Sequence, residues 1–447
     1  MSEAIAAWHD SLSPTLAEES AAWLTAELRR RGLFFGDRPL CTVLRPRFLT
    51  PEQYQLLRER SAVLLRAFDK ALAVALADPA VLAQFGLLDW ERTLALESPR
   101  IPASPVSRLD AFFDPDGGRL RFTEYNAETP AGSAYNDALT ELFLAIPAAR
   151  PFLTSHTLRP LPAVPNVLHA LLGAYAEWSG RRERPVIGIL DWKEVPTYSE
   201  FVLYQRYFHD LGLECVIADV RDCELSNGRL VAAGRPIDLI YKRVLIHELI
   251  EEGGLEHPIV RAVRTGAVCM VNPFRCKILH KKASLAVLSD ERNTRLFDAT
   301  ERRIIDEHVP WTRVVEERTT TFAGRTIDLL PWMAEHREQL VLKPNDDYGG
   351  AGIVLGWEVD AAAWSAAVKK ALGAPFIVQQ RIGLPSEPFP SWADGALQFA
   401  DRIVDTAPFV FGGSYVDGCL TRVSTATLVN VTAGGGSTVP TFVVERR

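Results

Sequence analysis

Arg108-Leu109-Asp110 and Glu124-Tyr125-Asn126 flank a Gly117-Gly118 turn, and their types and spacing could build a cation site. Asp110-Ala111-Phe112-Phe113 and Leu120-Arg121-Phe122-Thr123 read as two strands. Asp114-Pro115-Asp116-Gly117-Gly118 between them carries the residues that a hairpin connection needs. With a register symmetric about Gly117, Asp110 faces Glu124 and Arg108 faces Asn126. Side chains alternate along a strand with period two, so all four then share one face. Two carboxylates placed opposite each other repel, and a cation between them removes the repulsion. Oxygen donors without thiol or imidazole suit Mg²⁺, which completes its shell with nucleotide phosphates. A solvated hairpin with an exposed Arg–Glu pair accounts for the same residues, since a one-residue slip breaks the cluster.

A second group of candidates lies far downstream. Leu340-Val341-Leu342-Lys343-Pro344 reads as a strand ending in a lysine. It is followed by the polar loop Asn345-Asp346-Asp347-Tyr348-Gly349-Gly350-Ala351-Gly352 and the strand Ile353-Val354-Leu355. A strand, a lysine and a glycine-rich loop can bring an ammonium and backbone N–H groups, here around Gly349 and Gly350, onto phosphates. It is not a Walker A loop, because GxxxxGK[ST] is missing and the lysine precedes the glycines. An ordinary hairpin loop explains the segment equally well. Lys281-Lys282 opens a helix through Leu285 and Leu288, and Gln379-Gln380 closes the strand Phe376-Ile377-Val378, where it could read an adenine edge or be plain surface.

The elements that must position these residues follow from the hydrophobic pattern. Residues 1 to about 95 read as helical: Thr50-Pro51-Glu52 is a helix start, and Leu56, Leu57, Val63, Leu64, Phe68, Leu72 and Leu76 then recur at helix-like intervals as core. Ser133 to Ala145 reads as a helix, and a proline-rich stretch from Pro147 to Pro165 marks a boundary. Beyond Pro185, strands at 186–190, 214–218 and 238–241 with a helix at 200–211 give a small doubly wound α/β layer. It has no GxGxxG after its first strand, so a dinucleotide fingerprint is missing.

Bulk properties narrow the class. A chain of 447 residues exceeds one hydrophobic core, so two or three lobes are expected. A formal charge of −7 argues against nucleic acid or a membrane surface as the main partner. No apolar run reaches membrane-spanning length, and Met1-Ser2-Glu3-Ala4-Ile5 has no signal-peptide character, so a cytoplasmic protein is expected. The six cysteines show no CxxC spacing and read as core residues; without HExxH among nine histidines, a zinc hydrolase has little support.

Arg108-Leu109-Asp110 followed by Phe122-Thr123-Glu124-Tyr125-Asn126-Ala127-Glu128-Thr129-Pro130 resembles the metal-binding signature of the circularly permuted ATP-grasp ligases, of which glutathionylspermidine synthetases are members. Asn272-Pro273 with Lys282-Ala283-Ser284-Leu285, then Val341-Leu342-Lys343-Pro344, then Phe376-Ile377-Val378-Gln379-Gln380 are similar to the family's nucleotide segments in the family's order. The resemblance covers about residues 105 to 425. Taken with the hydrophobic pattern, it gives an α/β chain of α+β lobes: a helical region at 1–100, a permuted metal-binding hairpin and helix at 101–160, an α/β substrate lobe at 161–270, small and doubly wound, and nucleotide-binding lobes with C-terminal strands at 271–447. By the same resemblance Asp110, Glu124 and Asn126 ligate Mg²⁺. Lys282 and Lys343 contact ATP phosphates, with Gly349, Gly350, Gln379 and Gln380 around the nucleotide, and Arg108 holds a phosphate or the reacting carboxylate. Apart from the resemblance, Arg422 reads either as a residue facing the transferring phosphoryl group or as a surface salt bridge. The activity implied is ATP-dependent ligation of a small-molecule carboxylate to an amine through an acyl phosphate. A phosphotransferase and a catalytically inactive nucleotide-binding protein share the same residues. Within the same fold, Asp405, Arg422 and Asn430 form a rival metal and phosphate set.

Overall fold

A computed structural model describes residues 2–346, 350–426 and 436–447. The longest helix, Pro51–Ala77, starts on a reciprocal cap: the Thr50 hydroxyl accepts from the Gln53 N–H while the Gln53 side chain accepts from the Thr50 N–H, and Pro51 occupies the first turn. Its apolar stripe (Leu57, Leu64, Phe68, Leu72) packs on Leu109, Ala111, Phe113, Leu120, Phe122 and Tyr125 of the ribbon formed by Val106–Asp114 and Arg119–Asn126. One face of the ribbon is therefore core, and Arg108, Asp110, Glu124 and Asn126 belong to the other.

Register decides whether those four meet. Near the turn Asp114 pairs with Arg119, Phe113 with Leu120 and Ala111 with Phe122, one step away from symmetry about Gly117. A bulge after Asp110 takes up Thr123 as the extra residue, and beyond it Asp110 pairs with Glu124 and Arg108 with Asn126. The bulge also explains how Phe122 and Tyr125, an odd number of residues apart, both reach the core.

The ribbon does not stand alone. It is the edge of a seven-stranded sheet whose other strands come from the far end of the chain: Val106–Asp114 pairs with Ala407–Phe411, which continues to Tyr415–Ser424, Ala396–Val404 and Ser386–Ala393, with Ser437–Val439 beside Tyr415–Ser424. A second, antiparallel sheet runs Thr312–Val314, Phe376–Gln380, Leu340–Pro344, Val354–Leu355. A third is parallel, in the order Cys269–Val271, Leu239–Lys242, Ile187–Asp191, Cys215–Asp219, with helix Tyr198–Asp210 crossing between its first two strands in sequence. The fold is thus mixed α/β with several sheets. The N-terminal region departs from an all-helical reading: Arg47–Leu49 is a strand, pairing in parallel with Thr441–Arg446. All six cysteines are free and buried, and among the described residues no helix is long and apolar enough to cross a membrane.

Candidate functional site

The other face of the ribbon forms one wall of a cavity of about 680 Å³, within the range of small-molecule sites. Arg108, Asp110, Glu124 and Asn126 line it from the ribbon, Lys343, Gln379, Gln380 and Gly350 from the second sheet and its loop, and Arg422 from a C-terminal strand with Asp405 from the connection beside it. Residues more than 200 positions apart in sequence thereby face one space. Lys282, at the N-terminal end of helix Ala283–Ser289, reaches the same group, its ammonium 3.1 Å from Glu124 Oε1. Gly349 and Asn430 lie outside the described residues. Gly350 and Gly352 both hold φ in the left-handed region (80° and 68°), where any side chain would strain the turn that follows Lys343.

The charges are arranged in two layers. Arg108 donates from Nε and Nη2 to the two oxygens of Asp110 (2.6 and 3.0 Å) and from Nη1 to the Ala131 carbonyl (2.7 Å). Arg422 adds a third bond to Asp110 Oδ2 at 2.8 Å and is itself clamped by Asp405, which accepts from Arg422 Nε at 2.5 Å and from its backbone N–H at 2.7 Å. Burial opposes the charge on Asp110, yet the two guanidiniums outweigh it and hold its carboxyl well below the usual range. Asp405 is pushed up by burial despite Arg422, and Arg422, burial notwithstanding, is held protonated by the two carboxylates.

Nearer the opening, Glu124 keeps about a quarter of its side chain exposed (24%). Burial disfavours its charge, but Lys282 and, more weakly, Lys343 keep it ionised. The Lys343 ammonium donates to Gln379 Oε1 at 2.7 Å and to the Thr123 carbonyl of the bulge at 3.3 Å. Burial, with Lys282 adding to it, lowers the Lys343 pKa to about 8 against the pull of Glu124. Gln379 also donates to Thr312 Oγ1 at 3.0 Å, so both ends of its amide are engaged inside the protein. It orients Lys343 instead of presenting an edge to a base, which leaves the half-buried Gln380 as the amide at the cavity rim.

The remaining wall is apolar: Val341, Ile353, Leu355, Ile382 and Leu384, closed by Trp357, over whose ring the Arg381 guanidinium lies at 4.1 Å. The Trp357–Arg381 pair escaped sequence reasoning, which had only an isolated tryptophan past a short strand as a signal. Asp405, a rival metal ligand on sequence grounds, sits as the clamp of Arg422. With Arg381 and with Glu338, which also lines the cavity, five cations face four carboxylates among the described residues, a surplus of positive charge beside an apolar slot. Such a space suits an anion with a flat apolar body. The donors also fit a divalent cation: Glu124 and Asn126 line the cavity with oxygen ligands, and Asp110 Oδ1, with one hydrogen bond, keeps lone-pair capacity.

No protein-family model matches the chain. Two proteins are similar over 96% of it: "Putative glutamate--cysteine ligase 2-3" of Frankia alni, at 25% identity, and "Putative glutamate--cysteine ligase 2-2" of Frankia casuarinae, at 24%. The chain spans about half the length (50%) of these curated relatives. Among solved structures, a glutathione synthetase-like effector from Globodera pallida in its apo form has the same overall fold: the TM-score is 0.63 at 12% identity, over 97% of this chain and 98% of that one.

Proposed function

We propose that the chain is an ATP- and Mg²⁺-dependent carboxylate–amine ligase of the circularly permuted ATP-grasp type. The observation that carries the reading is the convergence of Asp110, Glu124 and Asn126 from the ribbon with Lys282 and Lys343 from the later lobes around one cavity. Contact of the early ribbon with both lysines, Glu124 with Lys282 at 3.1 Å and the Thr123 carbonyl with Lys343 at 3.3 Å, supports the permuted order, because metal donors that precede the lysines in sequence lie beside them in space. The relatives' names point to amide-forming ligation, and the apo effector's name to a synthetase of related type.

In this reading the adenine occupies the slot between Val341, Leu355, Trp357 and Ile382, with Gln380 and the backbone at Arg381 at its edge. Lys343, aimed by Gln379 and Thr123, and Lys282, held by Glu124, neutralise phosphate oxygens. Glu124, Asn126 and Asp110 would hold Mg²⁺, whose charge would screen the phosphate oxygens from an attacking carboxylate. Arg108 and Arg422, rigidly held by Asp110 and Asp405, present their guanidiniums where the transferred phosphoryl group gathers charge. The reaction class is attack of a carboxylate on the terminal phosphorus with loss of ADP, then displacement of phosphate by an amine. The protein's share is positioning and charge compensation, needing no nucleophilic side chain. A screen of amino acids, short peptides and polyamines for ADP release, with mass spectrometry of the product, tests the reading. An amide with ADP and phosphate is expected; a phosphoester product makes the chain a phosphotransferase, and ATP binding without ADP across the panel makes it a nucleotide-binding protein.

A further inference from the structure

Behind the cavity lies a second set of buried charges that the proposed chemistry does not use. Glu128, two residues beyond the ribbon, accepts from the Ile246 N–H at 2.5 Å and from the Lys277 ammonium at 3.0 Å, with Lys242 at 3.6 Å. Lys277 also contacts Asp346 at 2.8 Å. Asp346 opens the glycine-rich loop three residues after Lys343 and accepts from Lys281 at 2.9 Å, while Lys281 holds Glu91 at 2.6 Å. His280 Nε2 stands 3.8 Å from Glu128 and 4.0 Å from Asp346. His280 Nδ1 and Asp346 Oδ1 are buried without a hydrogen-bond partner among the described residues.

Glu128, His280 and Asp346 each place a donor atom within 4.8 Å of the others, a spacing that one cation spans. The position between the carboxylates is already taken, because the Lys277 ammonium touches both. Lys277 is buried to 1% exposure, and the two carboxylates keep it protonated although burial opposes the charge. Burial holds His280 neutral, with a pKa near 4, so the imidazole adds a lone pair and no charge. The two carboxylates come from opposite walls of the site: Glu128 from the chain leaving the ribbon, Asp346 from the stem of the loop carrying Gly350. Asn345 beside it is fixed too, its side chain accepting from the Ala283 N–H at 2.8 Å and donating to the Phe85 carbonyl at 2.8 Å.

We propose that Lys277 is the built-in cation of a carboxylate–imidazole cage and a positioning residue that holds the stem of the glycine-rich loop, with Lys343, against the metal-binding ribbon. Its effect on ATP rests on the ligase reading; the cage itself does not. Without the ammonium, Glu128 keeps Lys242 and Asp346 keeps Lys281, but nothing bridges the two carboxylates, and the vacated space offers them together with a neutral imidazole, a donor set that suits zinc or cobalt.

The test titrates Lys277→Ala with Co²⁺ and reads visible absorption. One Co²⁺ per chain is expected, with the intense bands of a low-coordinate site, and these bands should vanish in Lys277→Ala/His280→Ala. In turnover, Lys277→Ala should raise the KM for ATP about tenfold or more while kcat moves less, and stoichiometric Co²⁺ should restore the KM. Lys277→Gln, of similar length but uncharged, should raise the KM without cobalt rescue, and Lys277→Arg should recover most of it. Equal absorption in the single and double variants overturns the cage, and an unchanged KM in Lys277→Gln overturns the positioning role. If the wild-type chain ligates nothing, the ligase reading fails, while the cobalt titration still decides the cage.

Discussion

Lys343 allows the nucleotide assignment to be tested by pH alone. Burial lowers its pKa from 10.5 to about 8, a cost of about 3 kcal/mol to the ammonium. Its folded-state pKa lies below the unfolded value, so the proton is lost from the free protein as pH rises through 8. The side chain is about nine-tenths ammonium at pH 7 and about one-tenth at pH 9. A charge-assisted contact to a phosphate is typically worth about 1.5–3 kcal/mol, which exceeds the cost of reprotonation at pH 9, so binding should draw a proton back onto Lys343. Affinity for a non-hydrolysable ATP analogue with saturating Mg²⁺ should therefore fall about tenfold between pH 7 and 9. Calorimetry in two buffers of different ionisation enthalpy should record uptake of about half to nine-tenths of a proton at pH 9 and about a tenth of one at pH 7. Lys343→Arg stays charged throughout, and its affinity should be flat over the same range. Equal slopes for the wild type and Lys343→Arg, or no proton uptake at pH 9, would refute the placement of Lys343 on a phosphate.

Further expectations concern the charges around it. Glu124→Gln keeps the shape of a partly exposed side chain and should abolish Mg²⁺-dependent ADP release with the melting temperature little changed; unaltered ADP release would remove Glu124 from the metal site. Asp110→Asn leaves Arg108 and Arg422 without the carboxylate they share, and a buried pair broken on one side typically costs about 3–5 kcal/mol; a loss well under 1 kcal/mol by urea unfolding would show that the network is solvated. Phe122→Ala opens a void between the ribbon and helix Pro51–Ala77 and should cost about 3–5 kcal/mol, read by the same method.

Much of the site was legible because its information is local. Alternation along two short strands and a glycine turn point to Arg108, Asp110, Glu124 and Asn126 on one face, although a bulge is needed to bring them there. The bulge at Thr123 was not anticipated: symmetry about Gly117 gave the right partners, but the turn itself is one step off. The spacing of Phe122 and Tyr125, both apolar yet of opposite parity, is the trace it leaves in the sequence. What escaped is non-local. Arg47–Leu49 is a strand because Thr441–Arg446 lies beside it, and nothing within three residues announces a partner almost 400 positions away. Lys277, His280 and Lys281 share a helix face at ordinary surface spacing, and only the approach of Glu128, Glu91 and Asp346 turns them into a buried cage. Asp405, in the short connection before Ala407–Phe411, meets Arg422 across the sheet: its N–H donates to the Arg422 carbonyl and its carboxylate accepts from the Arg422 N–H.

The central claim is a single pocket in which the ribbon holds the metal and the later lysines hold the phosphates. A crystal structure with a non-hydrolysable ATP analogue and Mg²⁺ tests it most directly. The expected result is Mg²⁺ at about 2.0–2.1 Å from oxygens of Glu124 and Asn126, with Lys282 and Lys343 on the phosphates. Nucleotide bound elsewhere, or a metal held without Glu124, would contradict it.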